Sequence, residues 1–562
     1  MSAPAQAEVV TFFAGTQYAV DVHFLRGEKP GPTIMIQGGI QGDEYCGYLT
    51  AQLLAQAKVL KGNLIVLPRA NPPSIHERLR QINVDLNRRF GEKDDEYYED
   101  SLARLIRFLV DQSQGLIHLH EGSGFYNPVK LDDLHGPKRY GQSIIIDTTT
   151  YKNLHLEQTA RAVLSQLNDG LKPDKFQFKL FDMETFNDNS IYLEHRKSLT
   201  FYTLTRVGVP AFAVEVSKNL VGRYWSYWKV SHQLQAAVLL LKQLGVEVEV
   251  PSVKLEDFQA YPPQNLKVVV DGQALDPAKP LIRVKPEVPL EVRCENSGPE
   301  LSLAPIPAVF ASDRQGLNLL KARRLPMAPF QSLEVKSDGI LLAKAQLSWA
   351  DAWPASVESG NGDLVCWLNG ELKTVPAGGT LTAVQGDQLI LEGIRGSHRA
   401  EVLKLKGYMS RVITRSDRDT GREIVLDPKA IIAKFFVSKT QDEAVCEVVR
   451  EVPGVMPHER FLIRIKPRQV KNLVLTDASG QTLNLAWSPN TPLTVKPGRY
   501  VLSDVQGNGP AGKVQVFLNN TPVNIGGAFT VGDKAEIVLR QATTFAEMGR
   551  MPVRAGQSLA AR

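Results

Sequence analysis

Up to about residue 250 the apolar positions recur in two alternating modes. Short β-branched runs at 33–37, 62–68, 116–119, 143–147 and 211–216 read as strands. Between them, 48–58, 101–111, 156–167 and 230–244 carry apolar residues at helical spacing, most plainly Leu102, Leu105, Ile106 and Leu109. Strands alternating with helices predict an α/β fold, a largely parallel or mixed sheet covered by helices on both faces. After Val250 the helical period fades, and short alternating β segments separated by Gly, Pro and Asn take over. Pro251 and Pro262-Pro263 mark a linker. Segments 268–272, 365–370 and 516–520 resemble one another. The last two are each followed by Gly-Gly-x-x-Thr (378–382, 526–530) and by Gly386-Asp387 or Gly532-Asp533. Asn-Gly and Asp-Gly between β runs signal tight hairpins, so duplication and generic hairpin chemistry explain the likeness equally well. The expected division is an α/β domain at 1–250, a β-rich module at 251–352, a barrel or sandwich at 353–470 and an immunoglobulin-like module at 471–562.

Composition narrows the function classes. A chain of 562 residues, 43% hydrophobic and 22% charged, is globular throughout, and its length suits about three to four domains. Sixty-five basic residues against 60 acidic ones leave a net charge of only +5, without the aromatic-basic signature of a nucleic-acid module, so no nucleic-acid partner is expected. No run approaches the ~18 to 20 apolar residues of a membrane span. Cys46, Cys294, Cys366 and Cys446 are too scattered for a Cys-x-x-Cys metal site or a disulfide framework. The small-residue start, ending Ala5-Gln6-Ala7, suits a chain that begins just inside a signal-peptide cleavage site, with an ordinary frayed terminus as the alternative.

The candidate chemistry is that of a hydrolytic zinc site, which needs about three protein ligands, a carboxylate base, and cations for the substrate and the developing oxyanion. Gly38-Gly39-Ile40-Gln41-Gly42-Asp43-Glu44 follows the apolar run of the first strand signal, at 33–37, and Gln41 and Glu44, three apart at a strand-to-helix corner, can converge on one ion. Asp43 between them reads as a helix-capping acid. His120 ends a strand just before Glu121-Gly122-Ser123-Gly124 and is the expected third ligand, with His118 on the same face as its supporting partner or, failing that, the ligand itself. Asp85-Leu86-Asn87-Arg88 sets an amide beside a guanidinium, a pair suited to gripping a carboxylate, with Asp85 to orient them and Arg80 nearby for an oxyanion. Glu215, in the apolar strand of 211–216, is expensive to bury without a purpose and is the candidate base.

In this order, the Gln41/Glu44 corner, Asp85-Leu86-Asn87-Arg88, Leu119-His120-Glu121-Gly122 and Glu215 resemble the zinc carboxypeptidase A-like superfamily, including its succinylglutamate desuccinylase and aspartoacylase branch, over roughly residues 30–245. That family places a histidine where this chain has Gln41. The glutamine, with Ser123-Gly124-Phe125-Tyr126, the stretch from Arg139 to Asp147 and that from His195 to Tyr202, looks like the cell-shape D,L-carboxypeptidases of curved Gram-negative bacteria. The resemblance implies a mixed, eight-stranded-type sheet with barrel and immunoglobulin-like modules behind it. It implies one Zn²⁺ held by Gln41, Glu44 and His120, Glu215 and Arg80 as catalytic groups, and a periplasmic enzyme. The implied reaction trims peptidoglycan muramyl tripeptide to dipeptide by releasing meso-diaminopimelate. Asn87 and Arg88 would hold the terminal carboxylate, and Arg139, Tyr140, Gln142 and Lys197 are the candidates for the rest of the diaminopimelate. A muropeptide is thus the expected partner, and a homodimer is compatible with the sequence. The competing readings are an amidohydrolase of a small N-acyl amino acid and a wall-binding protein whose metal site has decayed.

Overall fold

The computed structural model describes residues 7–555 apart from 92–94, 173, 259–266, 277–280, 285–287, 296–306, 312–313, 319–322, 326–331, 350–361, 396–401, 413–417, 452–458 and 533. Pro262-Pro263 and the boundary expected at 352/353 lie outside the described residues.

The first 250 residues form strands β1 (Ala7–Phe12), β2 (Val20–Arg26), β3 (Lys29–Gln37), β4 (Lys58–Leu67), β5 (Leu116–Gly122), the short pair β6 (Phe125–Tyr126) and β7 (His135–Gly136), then β8 (Ser143–Ile146), β9 (Lys179–Asp182), β10 (Ala211–Ser217) and β11 (Glu247–Glu249). The helices are α1 (Tyr45–Leu54), α2 (Pro72–Glu77), α3 (Tyr98–Val110), α4 (Leu156–Leu167), α5 (Leu199–Tyr202) and α6 (Arg223–Gln243). The predicted mixed α/β sheet is present: eight strands run in the order β1-β2-β4-β3-β5-β10-β8-β9, and β11 pairs off β4. Helix α1 stops at Leu54, short of the expected 58, because Lys58 already pairs with Glu249 in the sheet. Helix α6 starts at Arg223, before the expected 230, its first turns being built from Trp225, Tyr227 and Trp228 rather than aliphatic residues.

Strand alternation sorts the core into two layers. Ile34 and Ile36 of β3, Ile117 and Leu119 of β5, and Phe212, Val214 and Val216 of β10 pack with α1, α4 and α6 on one face. Met35, Leu116 and Ala211 face the other way, toward α3. Because β4 lies on one side of β3 and β5 on the other, the chain changes direction across the sheet between β3 and β5. Such a switch point opens a crevice at the carboxyl ends of parallel strands, and both β3–β5 and β5–β10 are parallel.

The remainder is β-rich as predicted, in sheets of four and five strands. The three similar segments are hairpin turns with left-handed backbone at Asp271-Gly272, Asn369-Gly370 and Asn519-Asn520, where Asn, Asp and Gly are least strained. These sheets pack back onto the first domain. Phe517 and Phe545 join Phe12 and Phe108 in one core, with ring centroids 4.9 Å apart for Phe108–Phe517 and 5.7 Å for Phe12–Phe545. Tyr18 donates to the Thr543 carbonyl at 2.8 Å, and Arg104 to that of Thr544. Among the described residues no helix is long and apolar enough to cross a membrane. Phe545 is fully buried in that shared core, so Phe545→Ala is expected to cost about 3–5 kcal/mol. A denaturant titration that shows no loss would mean that the C-terminal sheets do not rest on the first domain.

Candidate active site

The crevice is a cleft of about 330 Å³ walled by Gln41, Glu44, Arg80, Asn87, Arg88, His118, His120, Tyr140, His195, Glu215 and Lys218, among others. The corner between β3 and α1 delivers Gln41 and Glu44 because Gly42 lets the turn press onto α2: a Cβ there would lie 2.0 Å from the Ser74 carbonyl carbon. His118 and His120 alternate with Ile117 and Leu119 along β5 and so face the cleft. Glu215 is the register partner of His120 across the parallel β5–β10 pair. Gly122 keeps the space in front of it, since a Cβ at that position would come within 2.8 Å of Glu215 Oε2.

Glu44 and His120, 4% and 5% exposed, meet directly, His120 Nδ1 lying 2.8 Å from Glu44 Oε2. Burial alone would lift the Glu44 carboxyl, but the charge of His120 and its hydrogen bond, with Lys218 and Arg80, outweigh this and hold it below the usual carboxylate range. Burial alone would likewise lower His120, and Glu44 outweighs it, raising the imidazole. Gln41 donates through Nε2 to Asp85 Oδ1 at 3.0 Å, which leaves its amide oxygen as the free donor atom. Asp85 therefore orients Gln41, and through Oδ2 it also takes Arg80 at 2.8 Å, rather than orienting the side chains of Asn87 and Arg88. Burial pushes the Glu215 carboxyl up to about 7, against the pull of His120, and its Oε2 is buried without a hydrogen-bond partner among the described residues. Tyr140 is pushed up to about 12 by burial and stays a phenol. Burial and the Arg88 charge push His195 down to about 3, so its neutral Nε2 accepts from Arg88 at 3.2 Å.

An amide oxygen, a carboxylate and an imidazole lining one cleft beside an unpartnered carboxylate make a donor set suited to a zinc ion. Among the described residues no group of three or more His, Cys, Asp and Glu is placed to hold a metal; Glu44 and His120 share the cleft with the Gln41 amide. His118 is buried with neither ring nitrogen bonded among the described residues, and its ring lies tilted, 4.0 Å from that of His120, without a hydrogen bond to support it. The backbone of His120 is held instead by Gln233, which donates to its carbonyl at 2.8 Å.

Three expected substrate contacts are not brought to the cleft wall. The Arg139 guanidinium turns outward to the Asp133 carbonyl. Gln142 is buried and bridges Ser217 N–H to the Phe176 carbonyl, a structural tie behind β10. Lys197 pairs with Glu194 at 3.6 Å on the surface. Asp43 is not a cap either: the N-cap of α1 is Glu44, and Asp43 is ion-paired to Lys218 at 2.6 Å. Lys218 and His195, which do line the cleft, were missed as site residues; a lysine just past the strand bearing Glu215 was the available signal.

The loop carrying Arg80 to Arg88 is held from beneath. Asn83 donates through its backbone to one oxygen of Glu99 at 3.0 Å, and through its side chain to the other oxygen and to the Arg411 carbonyl, each at 2.8 Å. Burial pushes Glu99 up to about 7, partly offset by these bonds. An acid whose folded pKa exceeds its unfolded value of 4.5 binds a proton on folding, so its contribution is most favourable below pH 4.5 and is lost as pH rises to 7. Glu99→Gln should remove that slope, worth at most about 3 kcal/mol. The check is the difference in melting temperature between variant and wild type from pH 5 to 8; a difference that does not change with pH would refute the assignment.

Comparison with known proteins gives one family. A family model described as "Carboxypeptidase controlling helical cell shape catalytic" matches residues 19–265, somewhat less than half the chain. A curated relative, the N-alpha-acetyl-L-2,4-diaminobutyric acid deacetylase of Halomonas elongata, is 36% identical over 104 residues, which span 17% of this chain and 30% of the relative. Among solved structures, product-bound cell shape determinant protein Csd4 from Helicobacter pylori is similar with a TM-score of 0.43 and 21% identity, over 77% of this chain and 95% of that one. The succinylglutamatedesuccinylase/aspartoacylase from Rhodobacter sphaeroides follows with a TM-score of 0.30 and 16% identity, over 44% of this chain and 67% of that one. At these scores neither structural likeness bears on activity.

Proposed function

Residues 19–265 belong to the family of catalytic domains of carboxypeptidases controlling helical cell shape, which makes the chain a metallocarboxypeptidase by family, and from this premise we propose that it is a zinc-dependent D,L-carboxypeptidase of the periplasm. Its substrate is peptidoglycan muramyl tripeptide, trimmed to dipeptide with release of meso-diaminopimelate, and the consequence is a change in cell-wall structure and cell shape. The reading divides the chain into a catalytic domain at 1–250 and β modules at 251–352, 353–470 and 471–562. Its main support is the meeting of Gln41, Glu44 and His120 with the unpartnered Glu215 in one cleft.

Gln41, Glu44 and His120 would hold the Zn²⁺, which supplies Lewis acidity toward a water and the scissile carbonyl. Glu215 takes a proton from the attacking water and returns it to the leaving amine, a role suited to a carboxyl whose pKa sits near neutrality. Arg80 steadies the oxyanion, and Asn87 with Arg88 grips the terminal carboxylate, which makes the enzyme an exopeptidase. Tyr140, on the cleft wall, is the remaining candidate for the rest of the diaminopimelate.

The second reading, an amidohydrolase of an N-acyl amino acid, has the 36% identical deacetylase in its favour. Incubation with muramyl tripeptide should release diaminopimelate, detectable by chromatography. Release should stop with a chelator, return with added Zn²⁺, and fall by roughly 10²–10⁴-fold in Glu215→Gln. Hydrolysis confined to acyl amino acids would favour the second reading. Release that survives the Glu215 substitution would overturn the mechanism.

A further inference from the structure

A second cleft of about 430 Å³ adjoins the first, and Glu121 and Lys218 line both. The two differ in character. Asn87, Arg88, Tyr140 and His195 belong only to the first, whereas Arg78, Arg223 and an apolar wall that includes Ile340 belong only to the second. Ile340 comes from the following β module, whose hairpin tip is fastened to the catalytic domain by Asp338 on Arg69 at 2.7 Å and Lys336 on Glu77 at 2.9 Å. The tip sits so close that a Cβ on Gly339 would lie 2.5 Å from Arg78 Cβ.

The charges of this cleft do not cancel internally. Four cations, Arg78, Lys218, Arg223 and Lys229, face two carboxylates, Asp43 and Glu121. Lys218 is paired to Asp43 at 2.6 Å and Lys229 to Glu121 at 2.6 Å. The guanidiniums of Arg78 and Arg223 then remain without an ion pair among the described residues, Arg78 resting only over the Tyr45 ring. Asp43 adds an acceptor, since its Oδ1 is buried and unpartnered.

An exopeptidase that holds the terminal carboxylate at Asn87 and Arg88 must let the acyl part of its substrate leave at the other end of the first cleft, and the second cleft shares the Lys218 and Glu121 wall with the first. We propose that the second cleft is the acyl-side subsite, in which Arg78 and Arg223 bind a free carboxylate carried by the residue whose carbonyl is cleaved. The proposal rests on the carboxypeptidase reading above. In a γ-linked glutamyl residue the α-carboxylate stays free, a short aliphatic arm beyond the scissile carbonyl, and two guanidiniums suit such a group. The orphan oxygen of Asp43 can accept from the neighbouring amide N–H.

The test compares muramyl tripeptide bearing a free glutamyl α-carboxylate with the same compound amidated there. Wild type and Arg78→Gln/Arg223→Gln are assayed in parallel, with melting temperatures to show that the variant is folded. Wild type should lose at least tenfold in kcat/KM on amidation, through KM. The double variant should show a comparable KM rise with the free acid and little further response to amidation. Equal sensitivity of both proteins to amidation would overturn the assignment. If wild type cleaves neither compound, the peptidase reading fails, and calorimetric titration with muramyl dipeptide decides the cleft separately. Tenfold weaker binding in the double variant supports it; equal binding refutes it.

Discussion

Glu44 carries its charge in a setting that would expel an unaccompanied carboxylate, and much of the site is arranged around that fact. At 4% exposure its two oxygens take His120 at 2.8 Å, the Glu121 backbone N–H at 3.2 Å, Lys218 at 3.5 Å and Arg80 at 3.6 Å. Leaving one such buried charge uncompensated typically costs several kcal/mol, and these partners come from β5, from beyond the end of β10 and from the loop after α2. The charge is tolerable only once all three have docked. The compensation then propagates. Arg80 is shared with Asp85, which fixes the Gln41 amide, while Lys218 is shared with Asp43. Behind them Glu121, 2% exposed, accepts from Cys46 N–H at the start of α1 and is neutralised by the buried Lys229 at 2.6 Å. Charges of alternating sign run from the cleft floor into the layer under α6.

Glu215 is the exception in this network. Glu44, His120, Arg80 and Asp85 on the cleft wall are bonded among themselves, yet Glu215 Oε2 has no hydrogen-bond partner among the described residues, and burial lifts its carboxyl to about 7. Glu44, Asp85 and Glu121 are each met by cations, and Asp43, which also keeps one orphan oxygen, is ion-paired through the other to Lys218, whereas Glu215 has no ion pair among the described residues. In the proposed reaction the imbalance has a chemical use: a base with a pKa near neutrality accepts and returns a proton with little penalty in either direction.

How far this was legible beforehand depended on whether a signal was local. The Gly-Gly-Ile-Gln-Gly-Asp-Glu corner, the His-x-His alternation on β5 and a glutamate inside an apolar strand are each confined to a few residues, and strand period alone puts His118, His120 and Glu215 on the cleft side. Arg139, Gln142 and Lys197 were drawn in by residue type, but their directions are set by the turn at Gln142, with φ of 55°, and by short helical turns whose geometry has no periodic signature. Lys218 was overlooked for a related reason: one lysine past a strand end looks like any solvated charge until Asp43 and Glu44 are folded against it. The β modules were legible as β and as hairpins, and their seat on the first domain was not. Phe12 meets Phe517 across some five hundred residues of chain, and no local pattern encodes such a pairing.

That seat bears on the site itself. The loop with Arg80, Asp85, Asn87 and Arg88 has little regular structure, one 3₁₀ turn over Leu86–Arg88, and so cannot fix its own geometry. Its underside is Asn83, gripped by Glu99 and by the carbonyl of Arg411. The Arg411 carbonyl also accepts from Tyr98 N–H at the start of α3, while its guanidinium takes Asp95 at 3.0 Å. A residue more than three hundred positions downstream is therefore built into the support of the loop that carries the cleft's arginines. Since a displacement of about 1 Å in a positioning group can cost a hundredfold in rate, the proposed function makes the β-rich part of the chain a support of the candidate site rather than an appendage to it. The α/β domain supplies the donor set, and the chain behind it supplies the rigidity that keeps Arg80 and Arg88 aimed.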